Sequence, residues 1–331
     1  MSTISATAAE LPPTLEARSA PFTLRESFFA AVQDAAGRAS VVGATVCLGL
    51  LVALFWPNLR YFFGVWSTDA NYSHGFLVPL MSLYFADEAA RRSSHVFSLG
   101  KRERGGVCLG VFLLALAVLG RITHLLVPIG IVAGVSFIIG LAGICALIFG
   151  ATAMKRQGFA LFFLVFMIPL PINLYTRIAS PLQAWVSRLA AFFLNASGVP
   201  VLVEGNLITL PGDVRMFVAE ACSGMRQLTG FLALAFAFAY LARRPFWYRA
   251  TLVVSAVPIA LTANVARVTL TGWIMTIDPR FASGAFHTFE GLLMMGFGLA
   301  LLLLERRALD WLARRFESAE ATSAVGKDFS R

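Results

Sequence analysis

At 331 residues the chain is 58% hydrophobic and only 14% charged, and its mean hydropathy of +0.75 is more than one soluble domain covers with polar surface. A pair of soluble domains is excluded, because the apolar residues fall in blocks long enough to cross a bilayer and these use most of the chain. The net charge of +9 sits in short Lys and Arg clusters beside those blocks, where it sets topology and meets anionic lipid head groups, so nucleic-acid binding is not expected.

Residues 1–39 are polar, carry Pro12, Pro13 and Pro21, and lack the layout of a secretory signal, so they read as a disordered or surface-lying tail. A membrane domain over 40–304 follows, with eight apolar runs at 40–57, 72–86, 105–121, 125–149, 158–175, 222–241, 250–275 and 285–304, and a basic tail closes the chain at 305–331. Run 72–86 is short and contains Pro79, yet charge favours keeping it. If eight spans start from an inner N-terminus, inner segments hold 19 of the 27 Lys and Arg. Outer segments hold six, at Arg60, Arg121, Arg177, Arg188, Arg215 and Arg280. Without that run the five basic residues from Arg91 to Arg104 would lie outside. Both termini are therefore expected in the cytoplasm. Cys47, Cys108 and Cys145 lie in or at the rim of apolar blocks and behave as small hydrophobes, so no disulfide framework is expected.

The longest polar interval, 176–221, is expected outside and in two parts. Ile178, Leu182, Trp185, Leu189 and Phe193 recur at three to four residues, as in a helix lying in the membrane interface. Beyond Gly198 come short β-prone runs, Val201–Val203, Leu207–Leu210 and Val214–Val218, separated by Glu204-Gly205-Asn206 and Pro211-Gly212-Asp213. The expected fold is therefore an all-α polytopic membrane protein of about eight helices, with an outward interfacial helix and a small β-meander leading into Cys222.

Ionisable residues at membrane depth are costly and mark function. Arg267 has seven uncharged residues on either side and lies about eight residues, or ~12 Å, from Met275, which is far for a snorkelling side chain. Asn264 precedes it by three residues on the same helix face and is placed to hold the guanidinium or a substrate amide. Cys222 opens a helix in Glu220-Ala221-Cys222-Ser223-Gly224-Met225-Arg226. A helix N-terminus and Arg226, one turn on, both favour a thiolate, while Glu220 opposes it. His287 begins the last span in His287-Thr288-Phe289-Glu290, where Glu290 is placed to orient the imidazole. Taken singly, a structural cysteine and an interfacial His are ordinary, whereas Arg267 already points to function. On the expected topology all three fall in the outer third of the membrane domain, the arrangement of a membrane-surface cysteine transferase.

The stretches Ala219-Glu220-Ala221-Cys222-Ser223-Gly224, Ala263-Asn264-Val265-Ala266-Arg267 and His287-Thr288-Phe289-Glu290-Gly291 together resemble the exosortase/archaeosortase family of membrane sorting enzymes. The early Ser73-His74-Gly75-Phe76 is similar to that family's N-terminal region. The resemblance implies that Cys222, Arg267 and His287 are catalytic. Arg226, Asn264, Glu290, Glu220 and His74 become candidates for substrate binding or for supporting the catalytic groups. It also implies a cysteine peptidase or transpeptidase in the inner membrane, active on the outer face. Its partners would be exported proteins with a C-terminal Pro-containing motif, a transmembrane helix and a basic cluster, together with an unidentified acceptor. Some family members carry a soluble C-terminal domain; with this sequence ending at Arg331, any step of that domain is expected from another protein. Two rivals stay open: a transporter or channel, which predicts charges spread along a pathway, and a non-catalytic subunit of a polysaccharide export system, which needs no nucleophile. No cluster with metal-ligand spacing is present in the sequence, and neither metal nor cofactor is expected.

Overall fold

The computed structural model describes residues 35–92, 104–218, 225–278 and 284–328, with scattered positions between 23 and 33. Cys222, Ala221 and Glu220 lie outside these residues. The helices are α1 (Ala35–Thr68), α2 (Leu77–Arg91), α3 (Arg104–Leu126), α4 (Gly130–Arg156), α5 (Gly158–Phe163), α6 (Ile172–Ala196), α7 (Met225–Leu241), α8 (Phe246–Ile277) and α9 (Gly284–Asp328). Short 3₁₀ turns occupy Ser73–Phe76 and Leu164–Met167, and three strands, β1 (Leu202–Glu204), β2 (Leu207–Leu210) and β3 (Val214–Phe217), separate α6 from α7. The molecule is thus mostly helical, with one small antiparallel sheet in the order β1-β2-β3.

Among the described residues four helical stretches are long and apolar enough to cross a bilayer: Gly37–Thr68, Gly105–Leu126, Gly130–Arg156 and Phe246–Ile277. A fifth crossing results if Gly158–Met167 and Ile172–Ala196, which meet at 82°, form one broken span. Length separates two of the other apolar runs from these stretches. The 15 residues of α2 and the 17 of α7 extend only about 22 and 26 Å at 1.5 Å per residue, against a hydrocarbon core of ~30 Å. Run 158–175 is interrupted at Ile168-Pro169-Leu170-Pro171, where Ile168 is extended (φ −82°, ψ 119°) because a following proline disfavours the helical region. The helix expected in the interval from 176 consequently begins at Ile172.

The chain divides into two compact units. One comprises the segments up to Leu54, Leu80–Gly120 and Ser136–Phe162, and the other Phe55–Pro79, Arg121–Val135 and everything from Phe163 onward. In the first, α3 and α4 approach backbone to backbone: a Cβ on Gly110 would meet the Gly143 carbonyl oxygen at 2.8 Å, and one on Gly143 would meet that of Gly110 at 3.0 Å. Small residues substitute here for the hydrophobic drive that lipid does not supply between helices. The Ser82 hydroxyl donates to the Ala160 carbonyl at 2.8 Å, tying α2 to α5.

The second unit holds the sheet and the last four helices. Its meander alternates inward Ile208, Leu210, Met216 and Val218, which pack with Val186, Ala190 and Leu194 of α6 and with Val265, Val268 and Met275 of α8. The register pairs Leu207 with Phe217 and Leu210 with Val214. The buried face of α6 is Tyr175, Ala179, Val186, Ala190 and Leu194, whereas Ile178, Trp185 and Phe193 of the expected stripe are exposed. An apolar face left outside beside a packed face is what a helix at the membrane boundary requires. Lower in the unit α8 presents Ala256, Ala260 and Ala263 to a cluster with Phe231 and Ala235 of α7 and Leu302 of α9.

Candidate active site

Arg267 lies ten residues, about 15 Å, before the end of α8 at Ile277 and is 6% exposed. Asn264 and Thr271, at 1% and 6%, share its face of the helix. Opposite stands the first part of α9, where Glu290 is 2% exposed. The Thr271 hydroxyl lies 2.5 Å from Glu290 Oε1 and 3.0 Å from the Arg267 carbonyl oxygen. One hydroxyl carries one proton, and the shorter contact to a carboxyl oxygen is the stronger hydrogen bond. The next residue, Gly291, faces the guanidinium itself. A Cβ there would sit 3.3 Å from Arg267 Nη2 and 3.6 Å from Cζ. The α8 and α9 motifs of the sequence are thereby brought together through Arg267, Thr271, Glu290 and Gly291.

His287 falls in the first turns of α9, three residues before Glu290, a rise of about 4.5 Å. Its side chain is outside the described residues, so its expected pairing with Glu290 is not seen. One oxygen of the Glu290 carboxyl meets Thr271 on α8.

The first turn of α7 begins at Met225, three residues after Cys222. Met225 is buried against Tyr72, Tyr175 and Ala179, with Trp66, Leu170, Leu182 and Leu228 around them. Leu228 also joins Leu182, Val186, Leu261 and Asn264 around a small cleft of about 20 Å³, room for roughly one water. The start of α7 therefore connects on one side to Asn264 and on the other to the Ser-His-Gly turn. Arg226 is half-buried in this first turn; its expected role toward Cys222 rests on sequence position alone.

The Ser-His-Gly turn works as a clamp. His74 Nε2 donates to the Phe166 carbonyl at 3.2 Å, and the Tyr72 hydroxyl accepts from the Leu170 amide at 3.1 Å. Trp66 Nε1 donates to the Met167 carbonyl at 2.9 Å and its ring stacks edge-on to Phe76. Gly75 must be glycine here, since a Cβ would overlap the Trp66 indole, 2.3 Å from Nε1. Gly75→Ala should therefore cost about 1–3 kcal/mol by overpacking, read as a lower thermal midpoint in detergent. Combining it with Trp66→Leu should recover part of that loss; no recovery would show that the indole is not what the added methyl group meets.

Sequence reasoning missed Thr271, Gly291 and Gln227. Thr271 was findable, as it stands one turn beyond Arg267 on the same face. Gln227 is 4% exposed, and neither atom of its side-chain amide has a hydrogen-bond partner among the described residues. No group of three or more His, Cys, Asp or Glu able to hold a metal occurs among the described residues.

A mostly helical membrane protein that buries an arginine and a carboxyl group close together, beside a small sheet, is a restricted class. The transmembrane exosortase family (Exosortase_EpsH) matches residues 66–304, and the chain belongs to it. No curated protein and no solved structure matches the chain.

Proposed function

We propose that the protein is a membrane-embedded cysteine peptidase or transpeptidase that cleaves a C-terminal sorting signal of exported proteins and passes the product to an acceptor. The observation that carries this reading is the convergence of Arg267, Thr271, Glu290 and Gly291 at the start of the helix that bears His287, within an exosortase-family chain. The Cys222 thiolate attacks the scissile carbonyl. Two N–H groups of Arg267 stabilise the oxyanion, the C–N bond breaks, and His287 gives its proton to the leaving amine. Water or an acceptor amine, deprotonated by His287, then displaces the thiolate from the thioester. Asn264 and Arg226 bind substrate or support the thiolate, and His74 holds the scaffold on which the start of α7 rests. Nothing observed favours a non-catalytic export subunit.

The reading places the protein in the inner membrane with both termini cytoplasmic and the reactive groups outside. Asp213 and Arg243 are both exposed and so accessible to label. Asp213→Cys should accept a membrane-impermeant thiol reagent on intact cells, and Arg243→Cys only after permeabilisation; the reverse pattern would overturn the topology. The activity itself is tested by the mass of a reporter carrying the tripartite signal. With the enzyme its C-terminus should be new and lie outside the transmembrane segment, and without the enzyme it should stay intact.

A further inference from the structure

Between α6 and the meander lies a groove of about 340 Å³, within the range of about 300–1,000 Å³ usual for ligand sites. Its helical wall is one face of α6, with Tyr175, Thr176, Ser180 and Gln183. Its other wall is Asn206, in the β1–β2 turn, and Phe217 at the end of β3. We infer that this groove seats the extended, uncharged stretch of the substrate polypeptide beside the scissile bond. The inference rests on the sorting reading above and adds where that substrate is read.

Three observations support it. The groove residues carry no charge, which disfavours a phosphate head group or the basic cluster of a sorting signal. They instead offer hydroxyl and amide groups that both donate and accept, matching a backbone that presents an N–H and a C=O at every residue. An acyl chain would offer no partner to the side chains of Ser180, Gln183 and Asn206, at a cost for each one desolvated. Phe217 is 61% exposed in this otherwise polar setting, so an aromatic surface stands ready to cover an apolar or proline side chain.

The third observation is reach. Phe217 precedes Cys222 by five residues, so covalent geometry limits their separation to about 17 Å. Tyr175 and Ala179 of the same groove pack against Met225, three residues beyond Cys222, which bounds the other approach at about 10 Å. A substrate segment of up to about five extended residues therefore bridges from the groove to the thiol.

The test uses the full chain in its membrane, co-expressed with a secreted reporter bearing the tripartite signal. In the Cys222→Ala background, a p-benzoylphenylalanine photo-crosslinker is placed at Asn206, exposed in the turn at the groove rim, and as a control at Trp185, which is exposed on the opposite face of α6. The Asn206 probe should attach to the reporter within a few residues of the scissile bond, and the Trp185 probe to lipid. With Cys222 intact, Ser180→Trp fills the groove and should raise KM at least tenfold for a peptide spanning the cleavage motif, with kcat within twofold. Adducts of the Asn206 probe only with lipid, or with the transmembrane or basic part of the reporter, would overturn the inference. So would an unchanged KM in Ser180→Trp. Either result leaves the cysteine mechanism standing, whereas absence of cleavage by the wild-type protein removes the underlying reading itself.

Discussion

Replacing Cys222 with Ser or Ala should abolish processing of a tripartite-signal reporter, with a loss on the order of 10⁴-fold or more, while the protein still inserts and accumulates. The argument for Ser is the sharper one. A hydroxyl keeps the size and polarity of the thiol but has a far higher pKa, and the sequence around Cys222 offers no dedicated base beyond His287. The features that favour a thiolate, the helix start at Met225 and Arg226 in its first turn, do too little to ionise an alcohol. An outward-facing alkylating reagent should accordingly modify Cys222 ahead of Cys47, Cys108 and Cys145, and loss of processing should track that modification. His287→Ala should in turn retain a substrate thioester that hydroxylamine releases. Normal cleavage in Cys222→Ser at normal expression would falsify the cysteine mechanism and move the reaction to another nucleophile.

The meander was the most legible part of the fold, because its signals are local. Period-two runs separated by Glu204-Gly205-Asn206 and Pro211-Gly212-Asp213 give the three strands within about one residue. The α6 stripe was legible as a helix but not as to which face is buried. In a membrane an apolar face meets lipid as well as protein, so Ile178, Trp185 and Phe193 could not be told from core by hydrophobicity. The packed face contains Ala179 and Ala190, and small size rather than apolarity marked it. Span counting failed to match helix length for a related reason. An apolar run fixes composition, whereas the prolines at 169 and 171 and the short extents of α2 and α7 decide what reaches across.

Arg267 was legible because a charge at that depth is costly enough to demand a reason. Its surroundings were not. That Glu290 faces Thr271, and that Gly291 rather than another residue meets the guanidinium, depend on how α8 and α9 are rotated against each other, which no spacing within one helix encodes. His74 was read from motif likeness alone, and the geometry gives it a specific task, holding the Phe166 carbonyl.

Arg267→Lys should fail nearly as badly as Arg267→Ala, losing on the order of 10²–10³-fold in kcat, the range for removing an oxyanion donor. Lysine would keep the positive charge, so the prediction isolates geometry from charge. Arginine presents a planar fork able to give two parallel N–H bonds to a carbonyl or carboxylate, and lysine presents a single rotatable ammonium. The surroundings fit a planar group: the guanidinium lies flat enough against α9 that a Cβ on Gly291 would sit 3.3 Å from Nη2 and 3.6 Å from Cζ. Gly291→Ala should then be a milder version of the same lesion, displacing the fork by a few tenths of an ångström and lowering kcat more than it raises KM. Reporter cleavage and detergent-extracted monodispersity would be measured for all three variants. Full activity in Arg267→Lys would reduce the residue to a point charge, and aggregation of that variant without loss of turnover per folded molecule would make it a packing element of α8 and α9. The expected result, a folded protein that cannot turn over, assigns Arg267 to transition-state stabilisation.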